Sequence, residues 1–421
     1  MKITIAASGT RGDVQPYVAL GKGLSAAGHA VRFLTSDDFE SLVAGTGMEY
    51  RSIGTSIEAI MQTPEWRATV ESGNFLKIMS RMSGEMKQRA HHLAQHMPAL
   101  FEGTDLIVAG LGGLSAYSIA EKLGVPLIQA YVFPITPTRE FPSPLTPSLP
   151  MGGALGGLPN RLSFAAMQQM LWQSGRLADV TIRRELGMSR SPMFGHYGAL
   201  KRRRVPVLYG YSSHVLPRPS DWDDRTLITG YWFLDPPADW TPPADLTAFL
   251  QAGTPPVYVG FGSMGNRDPE ETTRIALEAL KQSGQRGVLA SGWGGMSRSD
   301  LPDSVYMLSS IPHSWLFPRT AAVVHHGGAG TTAAGLRAGV PTIIVPFFGD
   351  QPFWGQRAAA LGVGPAPIPK RRLSVERLAQ AITQAVSDTT MRQRAASLGE
   401  QIRAEDGVAQ AVAYIDRFSS L

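Results

Sequence analysis

One pattern constrains this chain more than any other: a short apolar run, a turn rich in glycine or polar residues, then a stretch with helical spacing. Residues 2–7, 31–36, 48–53, 105–110 and 127–131 are one set of such runs, and residues 257–261, 287–291, 305–308, 321–325 and 342–346 are a second. Apolar strands alternating with helices predict an α/β protein whose parallel sheets are covered on both faces. The turn 8–13 after the first run leads into a helix expected to start near Pro16. Phe75, Ile78, Met79, Met82, Met86, Leu93 and Met97 recur at helical spacing and predict one long amphipathic helix. Prolines crowd residues 134–150 and 217–243, so both tracts read as loop or linker. The 421 residues suit two domains of about 200 residues each. The expected division is 1–220, a linker at 221–245, a second domain at 246–390, and helices at 391–421 that pack back on the first.

The excess of 39 Lys and Arg over 34 Asp and Glu is a net charge of +5, which does not imply nucleic acid. With no cysteine there is neither a disulfide framework nor a thiolate metal site. Arg11 and Asp13 interrupt the first apolar run, so no secretory pattern forms, and a reducing cytoplasm is the expected location. No stretch reaches the roughly 18 apolar residues of a membrane span, so membrane contact is expected to be peripheral if it occurs. Lys77, Arg81, Lys87 and Arg89, with the run 201–204, mark a basic surface for it.

The densest chemical signal is Val323-Val324-His325-His326-Gly327-Gly328-Ala329-Gly330-Thr331-Thr332. A strand enters a glycine turn that opens a helix, and such a start offers free N–H groups and a positive dipole end to an anion. Side chains alternate along a strand, so one of the paired histidines faces the ligand, and His326, nearer the turn, is the candidate. Ser263, at the end of a second strand and Gly-x-Gly-Ser turn, can reach a diphosphate from the other side. Asp350 and Gln351 close a further strand and suit sugar hydroxyls, although Asp350 also fits a helix N-cap. Asp13 equally fits a cap. Asp221, Asp223 and Asp224 match Asp-x-Asp metal binders only superficially and read as a solvated turn, so no metal is expected.

In Ser8-Gly9-Thr10-Arg11-Gly12-Asp13-Val14-Gln15-Pro16, Trp315-Leu316-Phe317-Pro318, the histidine-glycine turn, and Pro346-Phe347-Phe348-Gly349-Asp350-Gln351-Pro352-Phe353-Trp354, the chain resembles the sterol 3-β-glucosyltransferases of plants and fungi. Their relatives include bacterial glycosyltransferases acting on antibiotics and macrolides. The resemblance implies the GT-B fold, two Rossmann-like domains with parallel sheets facing a central cleft. It places Ser263, His326, Gly328, Ala329, Gly330 and Thr331 around the diphosphate, Ile311 beside the uracil edge, and Asp350 and Gln351 at the sugar. It makes Asp13 the catalytic base. Two family features of plant natural-product enzymes are absent: Ser310 stands where a tryptophan stacks on the base, and Ala334 where a glutamate holds the ribose. Trp293 is expected to supply part of the missing stacking. The long amino-terminal extension of eukaryotic sterol enzymes is also missing, which suggests a stand-alone bacterial enzyme.

The expected reaction is inverting, metal-independent transfer of a hexose, glucose from UDP-glucose, to a hydroxyl of a sterol or other lipophilic acceptor. UDP-glucose is then a co-substrate, and no cofactor is expected. Met79, Met82, Met86 and Phe133 are the expected acceptor walls, because methionine adapts to irregular apolar shapes. The alternatives are a macrolide, glycopeptide or phenolic acceptor and, more remotely, an NAD-dependent oxidoreductase or a non-catalytic sugar-nucleotide sensor. The turn 9–12 lacks Gly-x-Gly-x-x-Gly, which argues against the oxidoreductase. The sequence leaves oligomeric state open.

Overall fold

Strands that are buried end to end, and connected by helices, build two all-parallel sheets. The computed structural model describes residues 1–72, 75–113, 115–146, 157–261, 269–290 and 301–419. In the first sheet β1 (Lys2–Ala6), β2 (Ala30–Thr35), β3 (Glu49–Ser52), β4 (Leu106–Ala109), β5 (Leu127–Tyr131), β6 (Val207–Tyr209) and β7 (Thr226–Ile228) lie in the order β3-β2-β1-β4-β5-β6-β7. In the second, β8 (Val257–Gly260), β9 (Gly287–Ala290), β10 (Val305–Leu308), β11 (Ala322–His325) and β12 (Thr342–Ile344) lie in the order β10-β9-β8-β11-β12. Each order reverses once, between β1 and β4 and between β8 and β11. A crevice opens at such a switch point outside the carboxyl ends of the strands.

The helices that matter for the site are α1 (Arg11–Ala26), α2 (Phe75–Leu100), α3 (Leu158–Glu185), α4 (Ala329–Ala338), α5 (Gln351–Leu361), α6 (Thr389–Ala404) and α7 (Gly407–Ser419). Against expectation, α1 begins at Arg11 and carries Pro16 inside it. A capping pair between Thr10 and Asp13 closes the first turn, so the helix forms upstream of the proline. The tract 217–243 is also not all linker, because residues 226–228 hydrogen-bond to β6 as the last strand of the first sheet. The neighbouring prolines fall outside that short edge strand, where their missing N–H groups cost no ladder bond. β6 itself was not anticipated; three residues are too few to stand out as an apolar run.

After α6 the chain returns to the first sheet. α7 packs on α1, with Val408 and Val412 against Gly23, and Asp416 Oδ1 lies 2.6 Å from His29 Nε2. The turn into α7 brings Gly407 against Gly230, where a methyl group on Gly407 would lie 2.4 Å from the Gly230 carbonyl carbon. The backbones therefore meet with no room for a side chain. Gly407→Ala is expected to cost about 1–3 kcal/mol through overpacking, seen as a lower Tm, while an unchanged Tm would show that the junction yields.

Candidate active site

The two switch points face one cavity of about 2090 Å³. A single small-molecule site is typically ~300–1,000 Å³, so there is room for two co-substrates. From the first sheet the cavity is lined by the turn after β1, and from the second by the turn after β11. These turns bring two helix starts together: a methyl group on Gly330, in the first turn of α4, would lie 3.5 Å from the Gly12 Cα in the first turn of α1.

On the α1 side, Asp13 Oδ2 accepts from the Thr10 amide (2.8 Å) and the Thr10 hydroxyl (2.9 Å). The capping role is therefore real, and it leaves Oδ1 without a hydrogen bond among the described residues. Gly9, with φ +141°, makes room for this carboxylate, since a methyl group there would lie 2.6 Å from Oδ2. Burial raises the Asp13 pKa, and the two bonds from Thr10 offset part of that rise. One turn on, Tyr17 Oη donates to the Ala130 carbonyl (2.6 Å), tying α1 across to β5.

On the α4 side, Gly327 adopts φ +92° and Gly328 is the helix N-cap. His325 is fully buried, and its Nδ1 accepts from the Gly327 amide (2.9 Å). His326, Gly328, Ala329, Gly330 and Thr331 all line the cavity. The alternation read from the strand is thus observed: His325 serves the fold and His326 the cavity. Burial lowers the His326 pKa to about 4, so the ring is neutral near pH 7, and its Nδ1 is buried without a partner. A neutral imidazole has one N–H to donate, which suits a phosphoryl oxygen.

Asp350 does not cap its own helix through its side chain. Its Oδ2 accepts from Trp354 Nε1 (2.8 Å), and the backbone of Ala329 at the start of α4 lies near enough to favour its charged form. Burial, together with the charge of Asp13, pushes the Asp350 pKa up to about 7. Gln351 lines the cavity too, but it is buried, and its Oε1 accepts from the amides of Phe347 (2.7 Å) and Phe348 (3.2 Å). Its carbonyl oxygen holds the turn that presents Asp350. Ser263 and Trp293 lie outside the described residues.

Ile311 lines the cavity beside Ser310 and Ala334. Sequence reasoning missed the groups beyond them. Trp240 and Trp315 meet edge to face at 5.6 Å, Arg319 lies 4.6 Å over the Trp315 ring, and Arg337 Nη1 pairs with Asp235 at 2.8 Å. All five line the cavity. Trp240 and Asp235 come from the proline-rich tract, whose aromatic residues were the available signal. On the opposite side, Met79, Met82, Met86 and Phe133 line the cavity as expected, joined by Trp66, Leu145 and Leu171. His92 lines it as well. Asp221 and Asp223 form bonds within their own turn and to the 138–139 loop, with Asp221 accepting from Thr138 Oγ1 (2.6 Å) and Asp223 from Thr226 Oγ1 (2.9 Å).

Residues 3–142 match the glycosyltransferase family 28 N-terminal domain, and residues 294–415 match the erythromycin biosynthesis protein CIII-like C-terminal domain. A sterol 3-beta-glucosyltransferase of Arabidopsis thaliana is 39% identical over 98% of this chain and 67% of its own length. The chain belongs to the sterol 3-beta-glucosyltransferase family. A second Arabidopsis enzyme of that name is 38% identical over 98% of this chain and 64% of its own length, and one from Cryptococcus neoformans is 36% identical over 99% and 27%. The chain thus spans about two thirds of the plant relatives and about a quarter of the fungal one. Among solved structures, the glycosyltransferase of kitacinnamycin aligns with TM-score 0.67 at 18% identity, covering 99% of this chain and 98% of that one. The calicheamicin glycosyltransferase CalG4 aligns with TM-score 0.64 at 19% identity, covering 99% and 98%. The fold is GT-B, and the protein is a glycosyltransferase enzyme.

The Asp350 geometry has a pH signature. Its folded pKa lies above the ordinary 3.8, so the folded state holds the proton more tightly. The ionised carboxylate therefore costs stability progressively from about pH 4 to about pH 7, and fully above that. Asp350→Asn is expected to raise Tm relative to the native chain at pH 8 and to lose that advantage at pH 4. Equal offsets at both pH values would contradict the assignment.

Proposed function

We propose that this enzyme transfers glucose from UDP-glucose, with inversion and without a metal, to a hydroxyl of a sterol or similarly lipophilic acceptor. The observation that carries the reading is the opposition, in one cavity, of the Asp13 carboxylate and the start of α4. The diphosphate takes the amides at the start of α4, with His326 and Thr331 donating to its oxygens. Asp350 and Gln351 meet the sugar hydroxyls. The nucleoside extends past Ile311 and Ala334 toward Trp240 and Trp315, and Ser263 and Trp293 complete the donor site. The acceptor occupies the wall of Met79, Met82, Met86 and Phe133.

In the reaction the acceptor oxygen attacks the anomeric carbon from the face opposite the diphosphate. The bond from that carbon to the diphosphate oxygen breaks, and its electron pair leaves with UDP. Asp13 takes the hydroxyl proton as the new bond forms, which makes the hydroxyl acidic at the moment of transfer. A raised pKa makes this carboxylate a better base than one in water. Negative charge on the leaving diphosphate is met by α4, His326 and Thr331, so the charge load needs no metal.

Asp13→Asn is expected to lower kcat by about 10²–10⁴-fold with donor Kd unchanged, measured as glucoside formed from UDP-glucose. His326→Ala should lose roughly 10²-fold in kcat. Turnover should persist in EDTA, and loss restored by manganese would overturn the metal-free reading. Offering sterols, macrolides and phenolics with UDP-glucose and TDP-glucose, and detecting product by mass, tests acceptor and donor together. A macrolide product alone would replace the sterol reading. Any membrane contact such an acceptor entails would be peripheral, since no described helix is long and apolar enough to cross a bilayer.

A further inference from the structure

Nine large hydrophobic side chains are exposed among the described residues, and six of them, Leu158, Leu162, Leu177, Val180, Met193 and Phe194, lie on α3 or the loop after it. At 3.6 residues per turn the four on α3 fall along one side of the helix. Gln169 and Gln173, on that same side, pin the loop to it. Gln169 Nε2 donates to the Phe194 carbonyl (2.7 Å), and Trp172 Nε1 and Gln173 Nε2 donate to the Met193 carbonyl (3.1 and 3.3 Å). Gly195, with φ +85°, bends the loop against the Trp172 ring. The two carbonyls are therefore satisfied inward while the Met193 and Phe194 side chains stand 63% and 69% exposed. A backbone so bonded can enter an apolar medium without stranding these acceptors.

Arginines surround this ridge. Arg161, Arg184 and Arg190 are exposed and Arg176 is half-buried. The acids in residues 158–195 are Asp179, which is buried with His196 and Ser191, and Glu185, which pairs with Arg184. The opposite side of α3 supplies Leu171, Ser174 and Gly175 to the cavity wall. One helix thickness thus separates the ridge from the acceptor space. The basic surface suggested by the sequence is less free: Arg81 lies over Trp66, Arg89 lines the cavity, and Arg203 and Arg204 pair with Glu121 and Asp224.

We infer that α3 and the 190–195 loop dock the enzyme on an anionic lipid bilayer, with Met193 and Phe194 in the acyl boundary and the arginines among the headgroups. A second copy of the chain fits less well, because a two-fold contact through this ridge sets its arginines against themselves, whereas phosphatidylserine supplies the opposite charge. The inference rests on the lipophilic-acceptor reading: the ridge brings the cavity wall to the phase in which such an acceptor dissolves.

The test is flotation of the full chain with phosphatidylcholine vesicles, with and without phosphatidylserine. Binding is expected to require phosphatidylserine. The double variants Met193→Ser with Phe194→Ser, and Arg176→Gln with Arg190→Gln, should each weaken it on the order of tenfold. Both should keep Tm and the turnover of a sterol delivered in detergent, while turnover of vesicle-borne sterol falls with binding. Vesicle binding equal in all three proteins, or none by a native chain that glucosylates detergent-delivered sterol, overturns the docking surface. So does a native dimer that the Phe194 variant splits, which assigns the ridge to a second copy. Vesicle binding lost in the variants, with no detergent-delivered sterol glucosylated by any of them, keeps the docking surface and overturns the acceptor reading.

Discussion

Two helix starts, each with the positive end of its dipole forward, point into the same gap and come so close that a methyl group on Gly330 would touch the Gly12 Cα. Like ends repel, so this junction is stable only with negative charge in it. Asp13 supplies it from within α1, where its carboxylate accepts from Thr10. Burial, with the charge of Asp13 added to it, pushes the Asp350 pKa up to about 7. The rest of the site follows from this tension.

The surrounding packing holds the two starts at that distance. The apolar core of the first sheet runs without a break into Ala333, Leu336, Trp354 and Ala358 of the second half. Tyr211 meets Trp354 edge to face at 6.1 Å, and Arg357 donates to the Val215 carbonyl. The cleft is thus walled by side chains that belong to one continuous interior, and the reacting groups sit on helices anchored at both ends. Preorganisation of this kind favours charge developing in a transition state, because the dipoles need no rearrangement when it appears.

Much of this was legible in the sequence where a local rule has one outcome. A glycine turn between a buried strand and a helix admits few conformations, so the strand-turn-helix and the different placements of His325 and His326 could be read directly. Asp13 as cap and Asp13 as base are compatible readings, since the cap uses only one of its oxygens. The misses have physical reasons. β6 and β7 are too short for periodicity, and a proline-rich setting disguised the second of them. Asp235 meets Arg337, and Trp240 meets Trp315, only because the chain between the sheets folds back over the second half, contacts distant in sequence. For Gln351 the sequence did not show that its side-chain carbonyl oxygen also holds the turn before it.

The return of α7 to the first sheet shapes how the molecule can be made. His29 and Asp416 are 387 residues apart, so the groove on α1 that Val408 and Val412 will fill stands open while everything between is translated. At about 5–20 residues per second that interval is roughly 20–80 s. The amino-terminal half must therefore persist for that time as an unfinished fold with an uncovered apolar seam, and its maturation waits on the synthesis of α7.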